Sequence, residues 1–228
     1  MGGSGGIGSA VLELVAAEGA RVIASYRTNR ERAERYRDRV QILQADLGVE
    51  ADRRRLLDVA PQLYGLVVFA GDPARVPPGA DPQEAMLRSH EVNYLGPILL
   101  AREAAERMRA AATAGAIVLI GTMQAVALFP GSTAYAAQKA ALVHAAHILA
   151  KECRGPANIR VNVVSPGTTA AGMAERSIAS GKYDRYLKEG VIPRYGRAED
   201  VARAVRFFLE PDNYVTGQVL GVDGGMGL

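Results

Sequence analysis

The sequence predicts a single α/β domain, residues 1–228, built on a doubly wound parallel sheet with helices on both faces. Three observations point there. Short apolar, β-branched runs recur at residues 21–24, 40–43, 66–70, 116–120, 160–164 and 218–222, and each except the last is followed by a longer stretch with helical patterning. Such alternation implies parallel pairing, because parallel neighbours must be joined by a crossover. The runs are also nearly continuous in apolar character, as expected of strands covered on both faces. The chain has 228 residues, 49% hydrophobic and 22% charged, enough for one large core.

The longer stretches justify the helices in turn. Residues 8–18 open on a glycine loop and close at Gly19. Residues 92–112 are long and Ala-rich. Residues 134–152 carry apolar or small side chains on nearly every face, which predicts burial on several sides. Residues 199–209 end before Pro211. The proline-rich stretch 72–81 reads as a loop. Residues 168–193 are long for a connection, a length that often marks a lid or binding loop.

Composition excludes several classes. The net charge is only +3, and the Arg-rich stretch 27–39 is interleaved with Glu, which reads as a solvated helix face rather than a nucleic-acid patch. The apolar runs fall short of a membrane span, and the start lacks the basic-then-apolar pattern of a signal peptide. Cys153 is alone, so no internal disulfide forms and a reducing, cytoplasmic setting is expected. His90, His144 and His147 have no partners at ligand spacing, so no metal site is expected.

Gly2, Gly3, Ser4, Gly5, Gly6, Ile7 and Gly8 precede the first helix. Glycines let the backbone turn tightly beside a pyrophosphate, and the helix N-terminus offers free N–H groups and the positive end of its dipole. The loop–helix–strand context is that of a Rossmann-type dinucleotide-binding domain. Selection between NAD and NADP falls to the end of the next strand. An acid there grips a ribose 2′-hydroxyl, but this sequence reads Ser25, Tyr26, Arg27. Arg27 can pair with a 2′-phosphate, so NADP(H) is the expected cofactor.

Tyr135 and Lys139 stand four apart, on one face of the predicted helix. A phenol with its ordinary pKa near 10 is a poor proton donor and acceptor at neutral pH, and a neighbouring cation favours its ionised form. Thr122 follows the strand at 116–120, where strand ends open into the ligand crevice. Asn93 lies near the start of the helix after the strand at 66–70, and Pro166, Gly167 and Thr168 end the next strand.

With these residues the chain resembles the short-chain dehydrogenase/reductase family along its whole length, and within it the 3-oxoacyl-[acyl-carrier-protein] reductase branch. The loop Gly2–Gly8 resembles the family's nucleotide loop, Asp46 and Leu47 its adenine-holding pair, and Ala70 and Gly71 the end of its Asn-Asn-Ala-Gly motif. Asn93, Thr122, Tyr135 and Lys139 match its catalytic four in order and spacing, Pro166–Thr168 its nicotinamide contact, and residues 214–225 its last strand. The resemblance implies hydride transfer between NADP(H) and a carbonyl or secondary alcohol, a 3-oxoacyl thioester being one such substrate. Tyr135 would protonate the oxygen and Thr122 hydrogen-bond it. Lys139 would hold the nicotinamide ribose and lower the Tyr pKa, and Asn93 would hold a water of the proton relay. The resemblance also implies a homotetramer, with helices 92–112 and 134–152 pairing across two-fold axes.

Four departures bear on this expectation. Thr122 stands at the serine position, Val68 and Phe69 replace the motif's two asparagines, and Met1 stands before the first glycine. The strand that should precede the glycine loop is absent from the sequence as written. Residues upstream of Met1 are therefore expected in the native protein, and the loop as written is expected to be poorly supported and to bind NADPH weakly. The competing reading is a degenerate, non-catalytic dinucleotide-fold sensor or scaffold. An enoyl reductase is a further alternative, although its Tyr and Lys usually stand at wider spacing.

Overall fold

The computed structural model describes every residue except Met1, Gly2, Ser4 and Pro78. Its strands are β1 (Ile23–Tyr26), β2 (Gln41–Gln44), β3 (Gly65–Val68), β4 (Gly115–Ile120), β5 (Ile159–Pro166) and β6 (Val219–Val222), each within two residues of a predicted run at its start. All described pairings are parallel. The strands order as β3-β4-β5-β6 in one ladder and β1-β2 in another. Among the described residues no ladder joins β1 to β3. Gly3 is buried beside β1, where a Cβ would lie 3.5 Å from that of Ala24.

β4 and β5 are buried along their whole length. Their side chains alternate between two cores, as the two-residue period of a strand requires. Ile117, Leu119, Val161 and Val163 pack under α5 (Gly96–Ala110) and α6 (Thr133–Glu152) through Leu100, Ala104, Leu142 and Ala146. Val118, Ile120 and Val164 pack on the opposite face against α1 (Gly6–Ala17) and α9 (Ala198–Leu209) through Val11, Val201, Val205 and Phe208. Cys153 joins the first core. The short helices α2 (Arg30–Glu34) and α3 (Glu50–Asp58) follow β1 and β2.

One boundary needs correction. The helix predicted over 92–112 begins ten residues earlier, as α4 (Pro82–His90), and passes through a π-helical turn, Glu91–Leu95, into α5. Asp81 caps α4 by accepting from the Gln83 N–H at 2.9 Å, and Pro82 opens it. This is an N-terminal signature that the proline-rich surroundings mask in the sequence. Asn93 thus sits inside a long helical run, in the widened turn, and not near a helix start.

The segment after β5 is folded rather than irregular. Its base is pinched by a parallel bridge between Thr169 and Gly196, and between these lie α7 (Glu175–Ala179) and α8 (Asp184–Lys188). Met123, Ile192 and Met226 form a small separate core beneath it, with Tyr183, Tyr186 and Tyr195 packed against them.

Arg160, only 3% exposed on β5, ties the sheet to α9. Its guanidinium donates to the Phe208 carbonyl at 3.1 Å, the Glu210 carbonyl at 2.8 Å and the Tyr64 hydroxyl at 2.9 Å, and Tyr64 donates in turn to the Leu209 carbonyl at 3.0 Å. A cation here answers both the orphan carbonyls and the negative dipole end of the helix. Arg160→Met should destabilise the protein by about 3 kcal/mol, the scale of lost charged hydrogen bonds left unanswered in a buried place. Urea unfolding should show this as a lower midpoint at unchanged slope.

Candidate active site

Parallel strands with crossover helices place all strand C-termini on one edge, and there the chain opens a crevice of about 780 Å³. Gly6, Ile7, Gly8, Arg27, Asp46, Leu47, Ala70, Gly71, Thr122, Tyr135, Lys139, Pro166, Gly167 and Thr168 all line it. The residues expected from the sequence thus lie on the wall of one cavity. Gly2 and Ser4 fall outside the described residues. Asn93 is wholly buried and lies behind the wall.

At one end of the crevice stands the N-terminus of α1. Gly5 caps it without a side chain, and Gly5, Gly6, Ile7 and Gly8 all face the cavity. A Cβ on Gly6 would come within 2.5 Å of the Gly172 backbone nitrogen, so the segment after β5 closes directly over the loop and only glycine fits between them. Further along, β1 ends at Tyr26, and Arg27 and Arg32 line the cavity beyond it. The Arg27 carbonyl accepts from Gln44 Nε2 at 3.0 Å, which fixes that backbone. Arg32 escapes a sequence reading because only the short helix α2, capped by Asn29, turns it to the same side as Arg27.

The loop holding Asp46 and Leu47 is braced from behind. Asp46 N–H donates to Asp52 at 2.7 Å. Buried Arg53 donates to the Leu47 carbonyl at 2.7 Å and to Glu103 of α5 at 2.9 Å. A Cβ on Gly96 would meet the Leu47 Cβ at 2.8 Å, so glycine at the head of α5 lets this loop pack down. A helix N-terminus capped without a side chain, two arginines beyond the strand end and a braced acid–apolar loop together fit a dinucleotide.

The centre of the crevice is assembled from three elements. Thr122, 7% exposed, caps the 3-10 turn Met123–Ala125 beyond β4. Tyr135, from the first turn of α6, stands with its hydroxyl near that of Thr122. One turn further on, Lys139 is 2% exposed, and its Nζ donates to the Ile120 carbonyl at 2.8 Å and the Ala70 carbonyl at 3.4 Å, at the ends of β4 and of the β3 run. Burial pushes the Tyr135 phenol up to about 12, against the downward pull of the Thr122 hydroxyl. Burial brings the Lys139 ammonium down to about 7. In the cofactor-free protein the centre thus holds a protonated phenol and a readily neutralised amine.

Asn93 braces this centre from within. Its Oδ1 accepts from the Asp72 N–H at 3.0 Å, while its Nδ2 donates to the Asp72 carbonyl at 2.8 Å and to Ser89 Oγ at 2.9 Å. Ser89 donates onward to the Ala134 carbonyl, beside Tyr135. The Asn93 amide makes three of the four hydrogen bonds open to it, and it sits in a π turn, a local widening often found at functional sites. This clamp also answers the loss of the motif's two asparagines. Val68 joins one core and Phe69 packs against the other, and Asn93 and Lys139 supply the polar brace instead.

Arg75, Ser177, Lys182 and Tyr183 line the outer end of the crevice, and Met173 stands over Gly71. Met173, Ser177, Lys182 and Tyr183 fall in the segment the sequence reads as a lid, whereas nothing in the sequence marks Arg75. Tyr183 also packs against the small core, as do Tyr186 and Tyr195, which do not line the crevice. Among the described residues no cluster of His, Cys, Asp and Glu could hold a metal ion, and no helix is long and apolar enough to cross a membrane.

The pKa of Lys139 is lower in the fold than in the unfolded chain, so the unfolded state binds more protons between about pH 7 and 10.5. Stability contributed at this position should therefore rise with pH across that window and stay level below it. Melting temperatures of the cofactor-free protein and its Lys139→Met variant, compared from pH 6 to 10, should show wild type gaining on the variant above pH 7.

Comparison with known proteins agrees with this geometry. Residues 2–227 match the family model described as enoyl-(acyl carrier protein) reductase. The chain is 34% identical to carbonyl reductase family member 4 of Danio rerio, over 100% of this chain and 96% of that one. It is 33% identical to the 3-oxoacyl-[acyl-carrier-protein] reductase of Rattus norvegicus, again over 100% and 96%. Its fold superposes on the NADPH-dependent 3-quinuclidinone reductase of Rhodotorula rubra with a TM-score of 0.83, at 26% identity, covering 99% of this chain and 88% of that one. A family match over residues 2–227, together with relatives 33% and 34% identical along the whole length, makes this chain a member of the short-chain dehydrogenase/reductase family.

Proposed function

We propose that this protein is an NADP(H)-dependent carbonyl reductase. The observation that carries the reading is the hydroxyl pair Tyr135–Thr122 standing one helical turn from buried Lys139, at the strand ends of a crevice whose far end is lined by Arg27 and Arg32. NADPH, when bound, would supply the hydride to the carbonyl carbon. Tyr135 gives its proton to the carbonyl oxygen, and its high pKa in the empty site keeps that proton in place. Thr122 fixes the oxygen between the two hydroxyls. Lys139 is held by the two carbonyls in reach of a ribose, and a charge there brings the phenol down for proton transfer. Asn93 keeps the Asp72 turn and the start of α6 in register with this centre.

Arg27 and Arg32 support NADP(H) over NAD(H), as does the NADPH-dependent neighbour. The four-residue spacing of Tyr135 and Lys139 favours a carbonyl over an enoyl substrate, and the 3-oxoacyl thioester remains the chemistry of one relative's name. The alternative is a non-catalytic module that binds cofactor weakly. The NADPH titration below separates the two. Assembly as a homotetramer belongs to the same reading, supported by Leu95 and Ile148, exposed at 39% and 48% along the two long helical runs.

Tyr135→Phe should lower kcat on a carbonyl substrate by on the order of a thousandfold, the scale of a lost general acid. NADPH affinity, followed by nicotinamide fluorescence, should be unchanged. Thr122→Ser should keep most activity and Thr122→Val lose most of it. Retained turnover in the Phe variant overturns the mechanism, and absence of NADPH binding by wild type supports the non-catalytic alternative.

Arg27→Ala should weaken NADPH by about 2 kcal/mol, the scale of one charged hydrogen bond, and leave NADH affinity nearly unchanged. Equal losses for both nucleotides would remove the basis of the assignment.

A further inference from the structure

The crevice continues past Tyr135 into a region with its own charge. Arg75, from the loop after β3, reaches across the mouth and donates through Nη2 to the Met173 carbonyl at 3.2 Å and to Ser177 Oγ at 3.3 Å. Tyr183 lines the same wall of the cavity as Ser177. Lys182 places its Nζ 5.6 Å from the centre of the Tyr183 ring. Hydroxyls and cations therefore run as a chain from the reaction centre outward, all on the wall of one cavity.

The charges in this region are unbalanced. Arg88 also faces the cavity, but Asp72 neutralises it at 2.9 Å. Arg75 and Lys182 have no carboxylate within ion-pair distance among the described residues. Of the acids in the segment after β5, Glu175 accepts from the Gly172 N–H at 2.7 Å and Asp184 from the Tyr195 hydroxyl at 3.0 Å. Two uncompensated cations, backed by a serine and a tyrosine hydroxyl and focused by the walls of a cleft, form a receptor for a negative group.

We propose that this outer region is an anion subsite, and that the substrate is a carbonyl compound bearing a carboxylate or phosphate. Arg75 and Lys182 hold the anion, while Ser177 and Tyr183 orient it and set its distance from Tyr135. The proposal rests on the carbonyl-reductase reading above.

The test compares substrates that share a ketone and differ in charge. Acetoacetate is set against methyl acetoacetate, and dihydroxyacetone phosphate against dihydroxyacetone, with NADPH consumption followed in each case. The carboxylate and phosphate arms distinguish the two anion types. In at least one arm, kcat/KM for the anion should exceed that for its neutral partner by about tenfold or more, the scale of one charged hydrogen bond. The double variant Arg75→Gln, Lys182→Gln should bring that preference close to one, and Arg75→Lys should retain part of it. A merely structural role would lower both members of a pair together and leave their ratio unchanged. Neutral partners reduced as well as the anions, a preference that survives the double variant, or turnover confined to uncharged aldehydes and ketones would overturn the subsite. Absence of turnover on every carbonyl tried, with NADPH bound, would instead overturn the carbonyl-reductase reading.

Discussion

The structure depends on β4 and β5 being buried along their whole length. A strand with no solvent face must satisfy every backbone group in a ladder and every side chain in a core. Parallel pairing with crossover helices meets both demands, and it has an unavoidable consequence. The ladders stop at one edge, and the last carbonyls of the strands point into a crevice that the helices cannot fill. The site is the place where the sheet's own hydrogen bonding ends.

Lys139 connects that edge to its chemistry. Its ammonium is buried where an ordinary lysine would not remain charged, and it is held by the carbonyls of Ile120 and Ala70. The two bonds fix the rotation of α6 against the strand ends, and so fix Tyr135 one turn earlier beside Thr122. Asn93 does the same from the opposite side, gripping both polar groups of the Asp72 peptide and, through Ser89, the start of α6. The residues proposed to act on the substrate are thus also the braces. Val68 and Phe69 can therefore join the two cores without loss of order at the crevice.

The segment between β5 and α9 divides its residues between packing and contact. Tyr186 and Tyr195 anchor it on a small core, and the Thr169–Gly196 bridge closes its base. With that support, Tyr183, Lys182 and Met173 are presented to the cavity, and Gly172 is brought down onto Gly6. One loop thereby covers the glycine turn and walls the outer crevice.

The sequence by itself determined the α/β class, six strands, the glycine loop and the Thr122–Tyr135–Lys139 constellation. Each of these rests on local pattern: apolar continuity, glycine spacing, or residues one helical turn apart. The π turn at Asn93 was not legible, because it depends on α4 starting at Asp81 inside a proline-rich stretch and running without a break into α5. The engagement of the Asn93 amide, and of Arg160 with the end of α9, was equally hidden, since both are contacts between distant segments. Arg32, Arg75 and Lys182 join the site only because a two-turn helix, a cross-crevice reach and a folded loop turn them inward. Pattern along the chain records which face a residue shows to its own element. Which faces meet is decided when the sheet ends and the helices close around that edge.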